Sequence, residues 1–317
     1  MRKGQNPAKF AKAVARPERI TVALLNYIPF LSGFYAETLD VLKVCLDSLR
    51  RDAGLPFDLM VFDNGSCAEA RDFLVAEKEA GRIQYLILSD KNVGKGGAWN
   101  VILPGAPGEI ISYTDSDVLF SPTWLKRSVE ILEVFPDTGM VTARPFRTPP
   151  EFYSRTLDWA RKTRGCQINE EQFIPWETFL EFNLSLGQTE EENRKVYAST
   201  RDQVIRYKGV TAVAGASHWQ FTAYKSTLQQ FLPFEMDKPM GQVRQLDKRI
   251  NDAGLLRLMV PEPLAMNMSN TLGYLRGELS SAETRKRSSL KKRLLELGPV
   301  KKPLLAIYNR IFRWYYS

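Results

Sequence analysis

The chain has 317 residues, 44% of them apolar and 25% charged, a globular composition long enough for one large α/β domain or two small ones. Cys45, Cys67 and Cys166 are scattered, with no CxxC, so neither a disulfide framework nor a zinc site is indicated, and reduced thiols in a cytosolic protein are expected. The formal charge of +8 is terminal: residues 281–317 hold ten bases against two acids and residues 1–19 six against one, leaving a net acidic body that argues against a nucleic-acid cleft.

In chain order, the basic arm 1–19 has no apolar core of the kind a signal peptide needs, and no apolar stretch of about 18 residues follows to span a membrane. "RITVALLN" (19–26) reads as a strand and "AETLDVLKVCLDSLRR" (36–51) as an amphipathic helix. Strands are expected at 57–63, 82–89, 109–115 and 138–145. Helices are expected at 68–79, 94–103 and 121–135, the last with Ser121 as N-cap and Pro122 at its first position. Residues 146–205 break the alternation and read as a polar, aromatic-rich helical insertion. Strand character returns over 209–225, then a helix over 240–254 ending at Gly254, and a short strand at 255–260. Strands too apolar to face water, alternating with helices, predict an α/β fold with a mostly parallel central sheet between helices. The domain plan is an arm (1–19), a catalytic domain (20–280, divided at 145 and 205) and a basic tail (281–317).

Ligands of open parallel sheets bind beyond the carboxyl ends of the strands. Three polar clusters fall there: "LLNY" after the first strand, "FDNGS" after the second and "YTDSD" after the fourth. Each alone is a weak signal; their convergence on one sheet edge is the stronger one. A metal-bound nucleoside diphosphate would account for all three. Its phosphates repel carboxylates unless a divalent cation stands between them, and Mn²⁺ or Mg²⁺ takes one or two carboxylates together with phosphate oxygens and water. The D-x-D of Asp115 and Asp117 can aim one acid at the ion and the other at a ribose or a metal-bound water, while Asp63 or Asn64 reaches the edge of a base.

The order and spacing of "VALLNY", "DNGS" (63–66), "NVGKGGAWN" (92–100) and "DSD" (115–117) resemble family 2 glycosyltransferases of the GT-A fold, a Rossmann-like architecture. The resemblance covers roughly residues 19–145. It implies a metal-dependent, inverting transfer of sugar from a nucleotide-sugar donor to a glycan or lipid-linked acceptor, in bacterial surface polysaccharide synthesis. Carried over, it puts Asn26, Tyr27 and Asp63 or Asn64 around the base, and Gly94 and Lys95 along the nucleotide. Asp115 then lies by the ribose or sugar, and Asp117 is the principal metal ligand. His218, the sole histidine, is either structural or a third metal ligand from the second half.

The acceptor half (206–280) matches less well. "RQLDKRINDAG" (244–254) keeps the family's Arg249, Ala253 and Gly254, but counting back from Arg249 the positions where the family places its catalytic carboxylate hold Val243 and Gln245. Asp247 is favoured instead, then Asp237, with Glu235 a further rival. In the tail, Leu304, Ile307, Tyr308, Ile311, Phe312 and Tyr315 form one helical apolar stripe beside a basic run, which suits an interfacial helix on an anionic membrane. A protein peripheral to the inner face of the cell membrane is therefore expected. The rivals are a sugar-phosphate nucleotidyltransferase, disfavoured because "NYIPFLSGFYAET" lacks a basic residue, and a non-catalytic sugar-nucleotide scaffold.

Overall fold

A computed structural model describes residues 4–11, 13–236, 243–273, 275, 276 and 310. All elements below belong to the first of the chain's two units, residues 1–271. In the first half the order is β1 (Ile20–Asn26), α1 (Thr38–Arg50), β2 (Asp58–Asn64), α2 (Ala68–Glu79), β3 (Tyr85–Ser89), α3 (Gly94–Gly105), β4 (Ile110–Asp115), β5 (Val118–Phe120), α4 (Trp124–Val134) and β6 (Thr138–Thr142). The second half adds α5 (Ser154–Lys162), β7 (Cys166–Glu171), α6 (Trp176–Ser185), α7 (Glu190–Ser199), β8 (Asp202–Tyr207), β9 (Val210–Ala214), β10 (Gln220–Tyr224), α8 (Lys225–Gln229), α9 (Arg244–Asp252), β11 (Leu256–Met259) and β12 (Ala265–Asn267).

Ten strands form one sheet in the order β3-β2-β1-β4-β10-β6-β11-β9-β8-β7, and β5 pairs with β12 apart from it. Strands β1 to β4 are parallel, and only β10, β9 and β7 run against the prevailing direction. β1 is buried along its whole length, as a central strand covered on both faces must be. Alternation sends Ala23 and Leu25 to one face, where they join Met60, Phe62, Ile111 and Tyr113 beneath α3, α8 and α9. Trp99 of α3 is the keystone of that face. It is fully buried and meets Tyr113, Phe221 and Phe234 edge-on, with ring centroids 5.1, 5.8 and 5.2 Å away.

Three expectations change. Ser121 does not cap a helix, because its N–H donates to Leu264 O at 2.9 Å while Phe120 pairs with Ala265. The β5–β12 ladder thus holds the chain extended, and α4 starts only after Thr123, whose φ is 65°. The run 209–225 is two strands, not one. β9 forms a two-residue hairpin with β8 through Lys208 and Gly209, both with positive φ, whereas β10 lies between β4 and β6. The insertion is helical but for β7 and the start of β8, and β7 pairs with β8 and ends the sheet. The expected boundary at residue 280 and the apolar stripe of the tail lie outside the described residues. Among the described residues, no helix is long and apolar enough to cross a membrane.

Candidate active site

The parallel register decides which side chains meet. Asn26 of β1 pairs with Asp63 of β2, and Leu25 with Asp115 of β4, so the three polar clusters share one edge. They border a cavity of about 440 Å³. Asn26 and Asp63 are wholly buried behind it. Asn26 Nδ2 donates to Asp63 Oδ1 at 2.9 Å and Ser66 Oγ at 3.1 Å, and Ser66 N–H donates to Asp63 Oδ2 at 3.1 Å. These two residues therefore brace the loop after β2, and of the expected base-binding pair only Asn64 lines the cavity, with Tyr27 across from it.

Asn64 also fixes the next loop. Its Oδ1 accepts from Val93 N–H at 2.9 Å, its Nδ2 donates to Asn92 Oδ1 at 3.0 Å, and Asn92 Oδ1 accepts from Gly94 N–H at 2.8 Å. The loops approach so closely that a Cβ on Gly65 (φ 84°) would stand 3.0 Å from Asn92 N. Glycine is required there both by that contact and by its left-handed backbone. Gly94, at φ 71°, then turns the chain into α3 and presents Lys95 to the cavity.

Lys95 Nζ lies 2.7 Å from the Asp115 carboxylate and stands over the rings of Trp99 and Tyr113. Tyr113 Oη donates to Asp115 Oδ1 at 2.6 Å, and burial, then the Asp115 charge, push the Tyr113 phenol up. Asp115 is thus neutralised by its own neighbours. Asp117 is not: no side chain hydrogen-bonds its carboxylate among the described residues. Burial first, then repulsion from Asp115, push it up from 3.8 to about 7. An acid held in a cleft under that strain is matched to a cation, so the donor set fits Mn²⁺ or Mg²⁺ with Asp117 as protein ligand.

The wider trio is not assembled. Among the described residues, no three His, Cys, Asp or Glu side chains stand close enough to hold an ion. His218 opens instead on a second cavity of about 390 Å³, with Asp247. His218 Nδ1 is 2.6 Å from Asp247 Oδ2, and Arg257 donates to Asp247 Oδ1 at 2.6 Å. Asp247 is buried rather than on a solvated helix face, with both carboxylate oxygens occupied. Arg257, 1% exposed, also donates to the carbonyls of Phe152 and Ala216. Its burial pulls the guanidinium pKa down against the pull of Asp247. Asp237 lies outside the described residues, and Glu235 is exposed.

The sequence model described as Glycosyl transferase family 2 matches residues 33–190. That stretch therefore carries a glycosyl transferase family 2 domain. An uncharacterized glycosyltransferase of Nostoc sp. is 25% identical to this chain over 152 residues, 48% of this chain and 42% of the relative, so the match spans less than half of that protein's length. Among solved structures, the mannosyltransferase PcManGT of Pyrobaculum calidifontis, in complex with GDP-Man and Mn²⁺, is similar at TM-score 0.45 and 18% identity. That similarity covers 79% of this chain and 56% of the other. S. aureus TarS 1–349 is similar at TM-score 0.45 and 12% identity, over 78% and 59%.

The first cavity is also lined by residues that sequence reasoning missed. Met268 N–H donates to Asp117 O at 2.8 Å, which carries Ser269 and Asn270 to the cavity wall. Asn270 Nδ2 in turn donates to Phe34 O at 2.6 Å and ties down the loop bearing Phe34, an exposed ring at the cavity mouth. The only hint of this in the sequence is the polar pair following the short run "LAMNM". The insertion's rings divide: Tyr153, Phe179 and Phe182 are buried, while Phe152 and Phe182 reach the second cavity.

Proposed function

We propose that the chain moves a sugar from a nucleotide-sugar donor to a glycan or lipid-linked acceptor with inversion, and depends on Mn²⁺ or Mg²⁺ to do so. The observation that carries this reading is the pairing of a neutralised Asp115 with an unpartnered, strained Asp117 in one cleft. Phe34 and Tyr27 form an apolar wall for the base, and Asn64 offers its edge a polar neighbour. Lys95, which now holds Asp115, is the nearest cation for a phosphate oxygen. Asp115 is then free to meet a ribose or sugar hydroxyl. Asp117 would hold the ion, which when bound would supply Lewis-acid neutralisation of the departing diphosphate. Removing a ligand to such an ion abolishes the chemistry while sparing the fold, because no side-chain hydrogen bond among the described residues is lost with it.

The test is nucleoside diphosphate release from a panel of radiolabelled UDP- and GDP-sugars with MnCl₂. Release by the wild-type protein, its loss with EDTA, and a drop of at least about 10³-fold in Asp117→Ala with an unchanged circular dichroism spectrum are expected. An active, metal-independent Asp117→Ala sinks the reading. Binding of a sugar nucleotide without turnover would instead favour a scaffold. A role in bacterial surface polysaccharide assembly, at the inner face of the membrane, is proposed from the basic, amphipathic composition of 281–317. Liposome co-sedimentation of the full chain against one ending at Ser280 checks the anchor, and equal binding refutes it.

A further inference from the structure

The second cavity has no assigned task, and its geometry points to His218 Nε2 as the base that takes the acceptor's proton, with Asp247 as its positioning residue. This rests on the donor reading above and names the group that the displacement still lacks.

An ionised carboxylate only accepts hydrogen bonds, and Asp247 Oδ1 already accepts from Arg257. His218 Nδ1, at 2.6 Å from Oδ2, must therefore carry its ring hydrogen and donate it. In the neutral imidazole that leaves Nε2 as the lone-pair nitrogen, and no protein group hydrogen-bonds it among the described residues. The ring keeps 23% of its surface exposed, against 9% for Asp247 and 1% for Arg257. The accessible base of the set is thus the imidazole, while the acid and the guanidinium behind it are occupied. The carboxylate fixes the ring's tautomer and orientation, which leaves the Nε2 lone pair to take a proton.

Position agrees with role. Trp219 O accepts from Asp115 N–H at 2.9 Å, so His218 sits one residue from the backbone contact that joins β10 to the D-x-D. Asn267 lines the second cavity, and three residues on, Asn270 lines the first. The two cavities therefore flank a common edge. A donor in the first would have its anomeric carbon at that edge, and a hydroxyl-bearing glycosyl ring could rest against Trp219 and Phe182 in the second. As the acceptor oxygen bonds to the anomeric carbon, its proton passes to Nε2. The bond from that carbon to the diphosphate oxygen breaks, and the electron pair leaves with the diphosphate. The imidazolium afterwards returns its proton to water. Arg147 and Arg244, which also line this cavity, are the other charged groups around the pair.

Because His218 is the only histidine in the chain, its imidazole gives a single, unambiguous ¹⁵N signal set in the intact protein. At pH 8 the Nδ1–H tautomer is expected in the wild type and its loss in Asp247→Asn. An Nε2–H tautomer in the wild type overturns the inference whatever the turnover. On whichever UDP- or GDP-sugar the wild type hydrolyses with MnCl₂, His218→Gln is expected to lose at least about 100-fold in kcat with donor KM within threefold. In His218→Ala, added imidazole should restore part of the rate, which a merely structural histidine would not allow. His218→Gln turning over donor at the wild-type rate overturns this inference and leaves the donor reading standing. Failure of wild-type protein to bind UDP or GDP with Mn²⁺, read by calorimetry, overturns the donor reading instead.

Discussion

The ends of β1, β2 and β4 and the cluster around Asp247 both set carboxylates in the wall of a cavity, yet they treat them in opposite ways. Around Asp247 each oxygen has a protein partner, and the group is closed. At the first cleft, Asp115 is satisfied by Lys95 and Tyr113, while Asp117, two residues on, has no side-chain partner among the described residues. Burying a charge without a partner is unfavourable unless a bound species supplies one. The difference teaches that burial alone does not mark a binding carboxylate. What marks it is burial combined with a missing counter-charge.

The strongest way to break this contrast is to remove the core that holds the first cleft in shape. Trp99→Ala deletes the ring on which Tyr113, Phe221 and Phe234 converge, and is expected to destabilise the fold by about 3–5 kcal/mol in urea unfolding. The same change at Trp176, a partly exposed ring in the insertion, should cost clearly less. Equal losses would mean that Trp99 is no keystone.

A second test reads the strain on Asp117 directly. Its folded pKa of about 7 lies above the ordinary 3.8, so the folded chain holds this proton more tightly than the unfolded chain does between those values. Stability without metal should therefore fall as pH rises from about 4 to 7, with the decline erased in Asp117→Asn. Because the ion needs the ionised acid, Mn²⁺ affinity should be flat above pH 7. Below it, affinity should drop by about tenfold per pH unit, or about 1.4 kcal/mol. Calorimetric titration across pH 5.5–8 checks both limbs, and a pH-independent affinity would contradict the assignment. The smallest expected effect is at the cleft mouth. Phe34→Ala removes the exposed ring beside the proposed base site and should weaken UDP or GDP binding by about 1 kcal/mol, at the low end of base–aromatic stacking.

The first cleft was largely legible in the sequence because its polar residues end apolar, buried strands, and parallel register carries such ends to one edge. What could not be read was depth. Asp63 and Asn64 are neighbours, but strand alternation turns one inward to Asn26 and the other toward the cavity. The second cluster was scarcely legible. His218, Asp247 and Arg257 meet only because β10, α9 and β11 converge, and no local pattern records that. One signal was present in "LLRLMV", where an arginine inside an apolar strand demands a buried acid nearby. β7 was hidden for a different reason. Its residues alternate between partly and fully exposed, so "CQINEE" has no apolar periodicity to betray a strand.

That polar strand has a consequence for how the molecule behaves in a crowded solution. β7 is the sheet's outermost member on the insertion side, and a terminal strand leaves half its amides and carbonyls free to recruit a stranger's backbone. Glu170 and Glu171 sit on that rim, paired back to Gln203 and Arg206. Their charge discourages a second chain from stacking on, so the feature that hides β7 from pattern recognition also guards the sheet against fibre-like growth.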